Sequence, residues 1–531
     1  HDVIRVTALW YDCRVTRRIA LLFVLLLVVT GCQSTPEPSP SPSVSAVVVP
    51  ATSVPTTSLS AKIPLGGTLR AALSDPIGSL DPQTADANPL VVGQIFEGLV
   101  ARGPNGVIAA LATKWLVGAD GRAWTFTLRD GVFFHDGTAL DGGAVAKSLT
   151  RASDPLIEKV AATDARTVVI TTRAPYGPFL SAVATPPYAI VSPASRTSGT
   201  GPFRVPTGGQ GARPLVLERN DRYWRSDANG QKLPYLDTLS FTAIADPGTR
   251  LASIRAGNVD LIQELAIGDI GAIRTDPSLQ LVTRPDTLVL YLGLDLSQPP
   301  TDDLRVRQAI ALSLNPRGLV DRLYSGVATP ASQLPPPAML GYDDSVTEFA
   351  KADVAVAKKL LADSGHPTLV VDLWYVLGGS VTVPDMRRVA EAVATDLAAA
   401  GINAEPKTID PITFSVSVRE NRYPMWIGLA TTAVFDPDEI LGTAFIPPVL
   451  NGQDQPTEAG GWINKEAAGL LRKAESEPDQ SKRSELYKQV SKIVQREIPR
   501  IPLAWSAPPA AATKRVVNAH GSLFAAVAIG K

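Results

Sequence analysis

Both cysteines of this chain, Cys13 and Cys32, fall within its first 32 residues. Everything after them is thiol-free, so no intramolecular disulfide can brace the body, and cysteine-ligated metals and thiol catalysis are excluded there. Such a body must hold together by burying apolar surface, and 531 residues are enough for two or more cores. The balance of 50 basic against 51 acidic residues leaves a net charge of −1, with no basic face for nucleic acid. Four histidines, His1, His135, His366 and His520, are scattered without zinc-ligand spacing. No metal site and no cofactor are expected.

Arg17-Arg18 precede an unbroken apolar run from Ile19 to Val29, which ends at Thr30-Gly31-Cys32. Eleven apolar residues are too few to span a bilayer but suit the core of a secretory signal. A charged n-region fits Arg17-Arg18 better than a twin-arginine signal. Residues 1–14 read as upstream sequence, with Val15 the expected start. Val29-Thr30-Gly31-Cys32 resembles a bacterial lipobox, which implies diacylation of Cys32 and attachment of the mature protein to a membrane. Residues 33–62, rich in Pro, Ser, Thr and Ala, cannot bury enough surface to fold and are expected to form an extended tether.

Ordered patterning begins near Gly66-Gly67-Thr68-Leu69, and strand and helix signals then alternate, giving a mixed α/β protein with no internal repeat. Trp124, Phe126 and Leu128 alternate with threonines as a half-buried strand. Arg129-Asp130-Gly131 supplies a turn, after which Val132-Phe133-Phe134 is expected to return as its partner. One helix, capped by Asp302 or Asp303, carries Val306, Ala309, Ile310 and Leu314. A second starts at Asn315-Pro316 with Leu319, Val320 and Leu323 inward, and Gly326 ends it. Val389, Val393 and Leu397 mark a third helix, ended by Gly401. A fourth, with Leu486, Tyr487, Val490, Ile493 and Val494, stops before Pro499.

With these elements placed, a resemblance becomes visible. The stretch from Asp120 through Trp124, Leu128-Arg129 and Phe134-His135-Asp136-Gly137 is similar to the tryptophan strand and aromatic-His-Asp-Gly hairpin of the extracellular solute-binding proteins of family 5. These include the dipeptide- and oligopeptide-binding lipoproteins of ABC importers. Gly199-Thr200-Gly201-Pro202-Phe203, Asn220-Asp221-Arg222-Tyr223-Trp224, Arg305-Val306-Arg307-Gln308-Ala309 and Ile501-Pro502-Leu503 resemble further motifs of that family in the same order. The resemblance implies a two-lobed, type II periplasmic-binding-protein-like α/β fold with a hinge and an extra subdomain. The expected division is a leader over 1–32, a tether over 33–62, and lobe I over 63–288 with a subdomain at about 104–198. Lobe II would span 289–501, and 502–531 would return to lobe I. Crossings are expected near Leu288–Leu292 and Ile498–Leu503.

The resemblance also implies a cleft loop around Asp436-Pro437-Asp438. In the family's peptide binders an aspartate just before this motif grips the ligand ammonium, and Ala433 stands at that position. A charge-assisted hydrogen bond of this kind contributes about 1.5–3 kcal/mol, so either Asp436 takes over the ammonium or the ligand has no free amine. Further ligand-binding candidates are Thr431, Thr432 and Phe435 on the loop and Ser74-Asp75 after the first strand. Tyr291 at the first crossing and Trp374-Tyr375 on a second-lobe strand complete the set, the last two serving the core equally well. His135 beside Asp136 reads as a structural hairpin residue, and His366 as a loop residue after a helix end.

No Gly-x-Ser-x-Gly elbow and no Gly-x-x-x-x-Gly-Lys-Ser/Thr loop occurs, so neither serine-hydrolase chemistry nor nucleotide hydrolysis is expected. The expectation is a non-enzymatic, exported monomer anchored through Cys32 to the outer face of the cytoplasmic membrane. It would pass small peptides or peptide-like solutes to ABC permease subunits and their ATPases. The alternatives are a sensor of the same fold and a binder of a sugar or metal chelate.

Overall fold

The computed structural model describes residues 47–48, 63–103, 106–211, 213–377, 382–420, 422–447, 449–450, 453–454, 460–518 and 524–530. The expected signal peptide, Cys32 and most of the expected tether lie outside them. Within the expected tether, the β-branched pair Val47–Val48 forms a short strand, Val47 opposite Val117 and Val48 opposite Leu116, so that stretch is paired to a sheet rather than free.

The first lobe is organised on the strand Thr68–Leu73, flanked in parallel by Thr238–Ala243 and Leu261–Ile262. The late strand Ala510–Thr513 inserts between Leu261–Ile262 and Leu279–Val282, so both ends of the chain build one seven-stranded sheet. Leu69, Ala71 and Leu73 bury one face against Val91, Val92 and Ile95 of the helix Pro89–Ile95. That helix starts where Asn88 caps it and proline occupies the first turn.

A second, five-stranded sheet forms the subdomain. Its central strand Ala123–Leu128 alternates buried and half-buried residues as its pattern predicts, with Trp124 packed 5.3 Å from Phe179. The expected partner is wrong, however. Ala123–Leu128 pairs with Ala112–Val117 and Thr167–Thr172, while Val132–Phe134 folds back on its own turn, Phe133 bridging Ala139. Apolar partners on both sides satisfy the central strand more fully than a short hairpin could.

The second lobe is a six-stranded sheet centred on Leu288–Leu294, all seven of whose residues are buried. Covering helices on both faces explain its unbroken apolar run. Asp303 caps Leu304–Ser313, Asn315 caps Pro316–Leu323, and Met386–Ala398 and Gln480–Glu497 complete the four expected helices. Cross-strand shape fixes the register. Tyr291 faces Gly428 and Gly293 faces Trp426, and a Cβ on either glycine would lie 2.2 Å from the opposing ring.

The chain passes between the sheets at 283–287 and 507–509, the first crossing earlier and the second later than the sequence implies. Leu288–Leu294 and Arg500–Ser506 pair with each other inside the second sheet, so the return to the first lobe follows Ser506 rather than beginning at 502. Thr287 N–H donates to Ser506 O at 2.9 Å, holding the crossings side by side.

His135 is structural. Its Nε2–H donates to Gly201 O at 2.9 Å and its Nδ1 accepts from Gly199 N–H at 3.3 Å, an arrangement that requires the neutral ring. Burial lowers its pKa from 6.5 to about 4. Between those values the unfolded chain takes up a proton that the folded chain refuses, so stability falls as pH drops through that window, by about 3 kcal/mol in all. Urea unfolding at pH 7 and pH 4.5 should show this loss in the wild type and a smaller one in His135→Gln.

Candidate ligand-binding cleft

In the first sheet Thr68–Leu73, Thr238–Ala243 and Leu261–Ile262 run parallel, and Leu279–Val282 shares their direction because it too is antiparallel to Ala510–Thr513. Their carboxyl ends bring Ser74-Asp75, Gln263-Glu264 and the first crossing to one edge. In the second sheet Leu369–Val376, Ile402–Ile409 and Met425–Thr431 run parallel, ending at the edge where Leu288 lies opposite Thr431 and Ser506. Crevices at carboxyl ends of strands are where open α/β sheets bind ligands. Here two such edges meet at the crossings.

The loop after Met425–Thr431 is fastened to the crossing by Thr432 N–H, which donates to Thr287 O at 3.1 Å. It then closes on itself. Glu439 accepts from the Thr432 hydroxyl and from Val434 N–H at 3.0 Å, and Phe435 N–H donates to Thr432 Oγ1 at 2.7 Å. These bonds hold Phe435 at a φ of 56°, a left-handed conformation that a bulky residue adopts only under constraint. The guanidinium of Arg102, from the strand Val100–Gly103, lies 3.8 Å above the Phe435 ring. Burial raises the pKa of Glu439 and lowers that of Arg102, while each charge favours the other.

Asp436 does not face the cleft as a free acceptor. It is 2% exposed, as is Arg483, whose Nη2 donates to Asp436 Oδ1 at 2.7 Å. Arg483 also donates to Ala474 O at 3.1 Å and to Tyr487 Oη at 3.0 Å. Burial disfavours this cation, but Asp436 outweighs the penalty and holds its pKa above the ordinary range. Ser181 Oγ, from the subdomain, donates to Asp436 Oδ2 at 3.2 Å. An ammonium would have to displace Arg483.

The other sequence candidates divide. Thr431 and Ala433 are exposed on the cleft loop, while Thr432 and Phe435 are buried parts of its framework. Ser74 is half-buried and Asp75 exposed at the first-lobe edge. Tyr291 lies in the second-lobe core, its ring under the Arg500 guanidinium at 4.3 Å and against Gly428. Tyr375 is in the core of the same sheet, and Trp374, on the opposite face, stacks 4.5 Å from Tyr423. These three aromatics are explained by packing. Arg102 and Glu439, which the structure brings to the cleft loop, were not among the sequence candidates. A useful signal for the latter was its place directly after Asp-Pro-Asp. Among the described residues no group of three or more His, Asp or Glu side chains is placed to hold a metal, and no helix is long and apolar enough to cross a membrane.

The profile of the bacterial extracellular solute-binding proteins, family 5 (middle region), matches residues 106–449. The chain belongs to that family, and it is a binding protein rather than an enzyme. It is 28% identical over 448 residues to the dipeptide-binding protein of Escherichia coli K12, covering 76% of this chain and 82% of the relative. It is 27% identical over 467 residues to heme-binding protein A of Haemophilus influenzae, covering 78% and 82%. Among solved structures, HbpA2 from Haemophilus parasuis superposes with a TM-score of 0.77 at 27% identity, covering 88% of this chain and 100% of that one.

Because Asp436 neutralises a buried guanidinium, Asp436→Asn should destabilise the protein by about 3–5 kcal/mol. Equilibrium urea unfolding measures this, and an unchanged midpoint would show that Arg483 finds another counter-charge.

Proposed function

We propose that this protein is the lipid-anchored, extracytoplasmic solute-binding component of an ABC importer, carrying peptides or peptide-like solutes to permease subunits driven by their ATPases. The observation that carries this reading is the meeting of two strand-end edges at a double crossing, inside a family of solute-binding proteins. Two lobes on two narrow connections can close over a solute and reopen at the permease. The lobes would comprise residues 63–282 with 510–530, and 288–506, the subdomain belonging to the first. Cys32 would carry the lipid, residues 33–46 would form the tether, and the protein would act as a monomer on the outer face of the cytoplasmic membrane.

Peptides are favoured by the dipeptide-binding relative and by a cleft rim that offers charges of both signs. A second reading, a solute without a free amine, is supported by two features of the loop. Ala433 is exposed where the family's peptide binders place a carboxylate, and Asp436 is neutralised by Arg483. Native mass spectrometry of the gently purified protein separates the two. Short peptides released on denaturation are the expected result. A single non-peptide compound, with no peptide able to raise the melting temperature, would establish the second reading instead.

A further inference from the structure

The first crossing carries two opposite charges that the protein leaves unmatched. Arg284 is half-buried, and its Nη2 and Nη1 donate to the Gln263 side-chain oxygen at 2.8 and 3.2 Å. Its Nε is buried and has no acceptor among the described residues. Two residues on, Asp286 is also half-buried and, among the described residues, accepts only from Thr329 Oγ1, at 3.2 Å. Neither forms an ion pair among the described residues, and they do not pair with each other.

Several other charges of this chain are matched by opposite ones, although Arg250 and Asp295, deeply buried, hydrogen-bond only to neutral groups. Asp260 is bracketed by Arg70 and Arg515, and Asp436 is held by Arg483. A half-buried charge with only a neutral partner loses hydration without an opposite charge to compensate. Burial accordingly lowers the pKa of Arg284 despite Glu264 nearby, and raises that of Asp286 despite the Thr329 hydroxyl. Pro285 between them restrains both neighbours, because proline fixes its own φ and keeps the preceding residue extended. Residues i and i+2 of an extended segment point the same way. The two charges are also tied to different lobes, Arg284 through Gln263 at the end of the first-lobe strand Leu261–Ile262, and Asp286 through Thr329 in the second-lobe strand Ala328–Pro330.

We infer that Arg284 and Asp286 are specificity-determining residues for a zwitterionic solute, Arg284 receiving its carboxylate and Asp286 its ammonium. This assignment rests on the peptide reading above and supplies the charge recognition that Ala433 and the neutralised Asp436 do not. A solute spanning the two groups would bridge residues fastened to opposite lobes, so binding would favour one spacing of the lobes over others.

The test is titration calorimetry of the purified full chain with a pool of unblocked dipeptides, and with the same pool N-acetylated or C-amidated. The wild type should bind the unblocked pool and lose affinity when either terminus is blocked. Arg284→Gln should bind the unblocked pool roughly ten- to a hundredfold more weakly and bind the amidated pool as the wild type does. Asp286→Asn should show the matching pattern with the acetylated pool. If either variant fails to melt cooperatively, Arg284→Lys and Asp286→Glu, which keep the charge but shift it, are scored by the same terminus-specific loss. Wild-type affinity for the unblocked pool in both variants overturns the inference and leaves the peptide reading intact. A wild type that binds no dipeptide overturns both.

Discussion

The backbone of Thr287 is the joint on which this architecture turns. Its N–H bonds to Ser506 O on the second connection, and its carbonyl accepts from Thr432 N–H at the start of the cleft loop. One residue therefore ties the outgoing crossing to the returning one and to the loop that rims the cleft. Leu288 follows at once, already paired on both sides with Thr431 and Ser506, so the second sheet begins where the joint ends. A change of angle between the lobes has to be absorbed in the few residues before it and in 507–509. Those are also the residues that carry Arg284 and Asp286, or that hold Leu265 N–H through Pro509 O at 2.8 Å.

Charge is used in two distinct ways. Deep inside, the chain gives it several hydrogen-bond partners. Glu97, for example, accepts from Tyr223 Oη, Thr200 Oγ1 and Trp224 Nε1, and Trp224 lies between the guanidinium groups of Arg129 and Arg225. Such buried networks favour one packing among alternatives. Along the cleft, Arg102, Glu439, Arg284 and Asp286 have at most neutral partners within hydrogen-bond reach among the described residues. A binding surface needs that reserve, since a group committed to a neighbour must be released before it can meet a solute.

Much of the fold was legible in the sequence because local signals and burial agreed. The capped helices at Leu304–Ser313 and Pro316–Leu323 follow from Asp303, Asn315 and their apolar spacing. The strand around Trp124 follows from strict alternation. What failed was non-local. Val132-Phe133-Phe134 has the composition of a strand, but nothing in it says that residues 112–117 and 167–172 would take both edges of Ala123–Leu128. The site was read least well for the same reason. Asp436 in an Asp-Pro-Asp loop looks available until Arg483, 47 positions away, is seen beside it. Tyr291 looks like a cleft aromatic until Gly428 is seen beneath its ring.

Backbone strain is present at this boundary too. Glu264 and Phe435 both take left-handed conformations, at φ of 52° and 56°, and they stand at the carboxyl edges of opposite sheets. Neither has the short side chain that tolerates this region, so each is held there by its surroundings. For Glu264 those are the Arg250 Nη2 bond to its carbonyl at 2.8 Å and the bond from Leu265 to the second connection. For Phe435 they are Thr432 and the Arg102 guanidinium over its ring. Each lobe thus presents to the cleft one residue whose conformation depends on groups next to the joint.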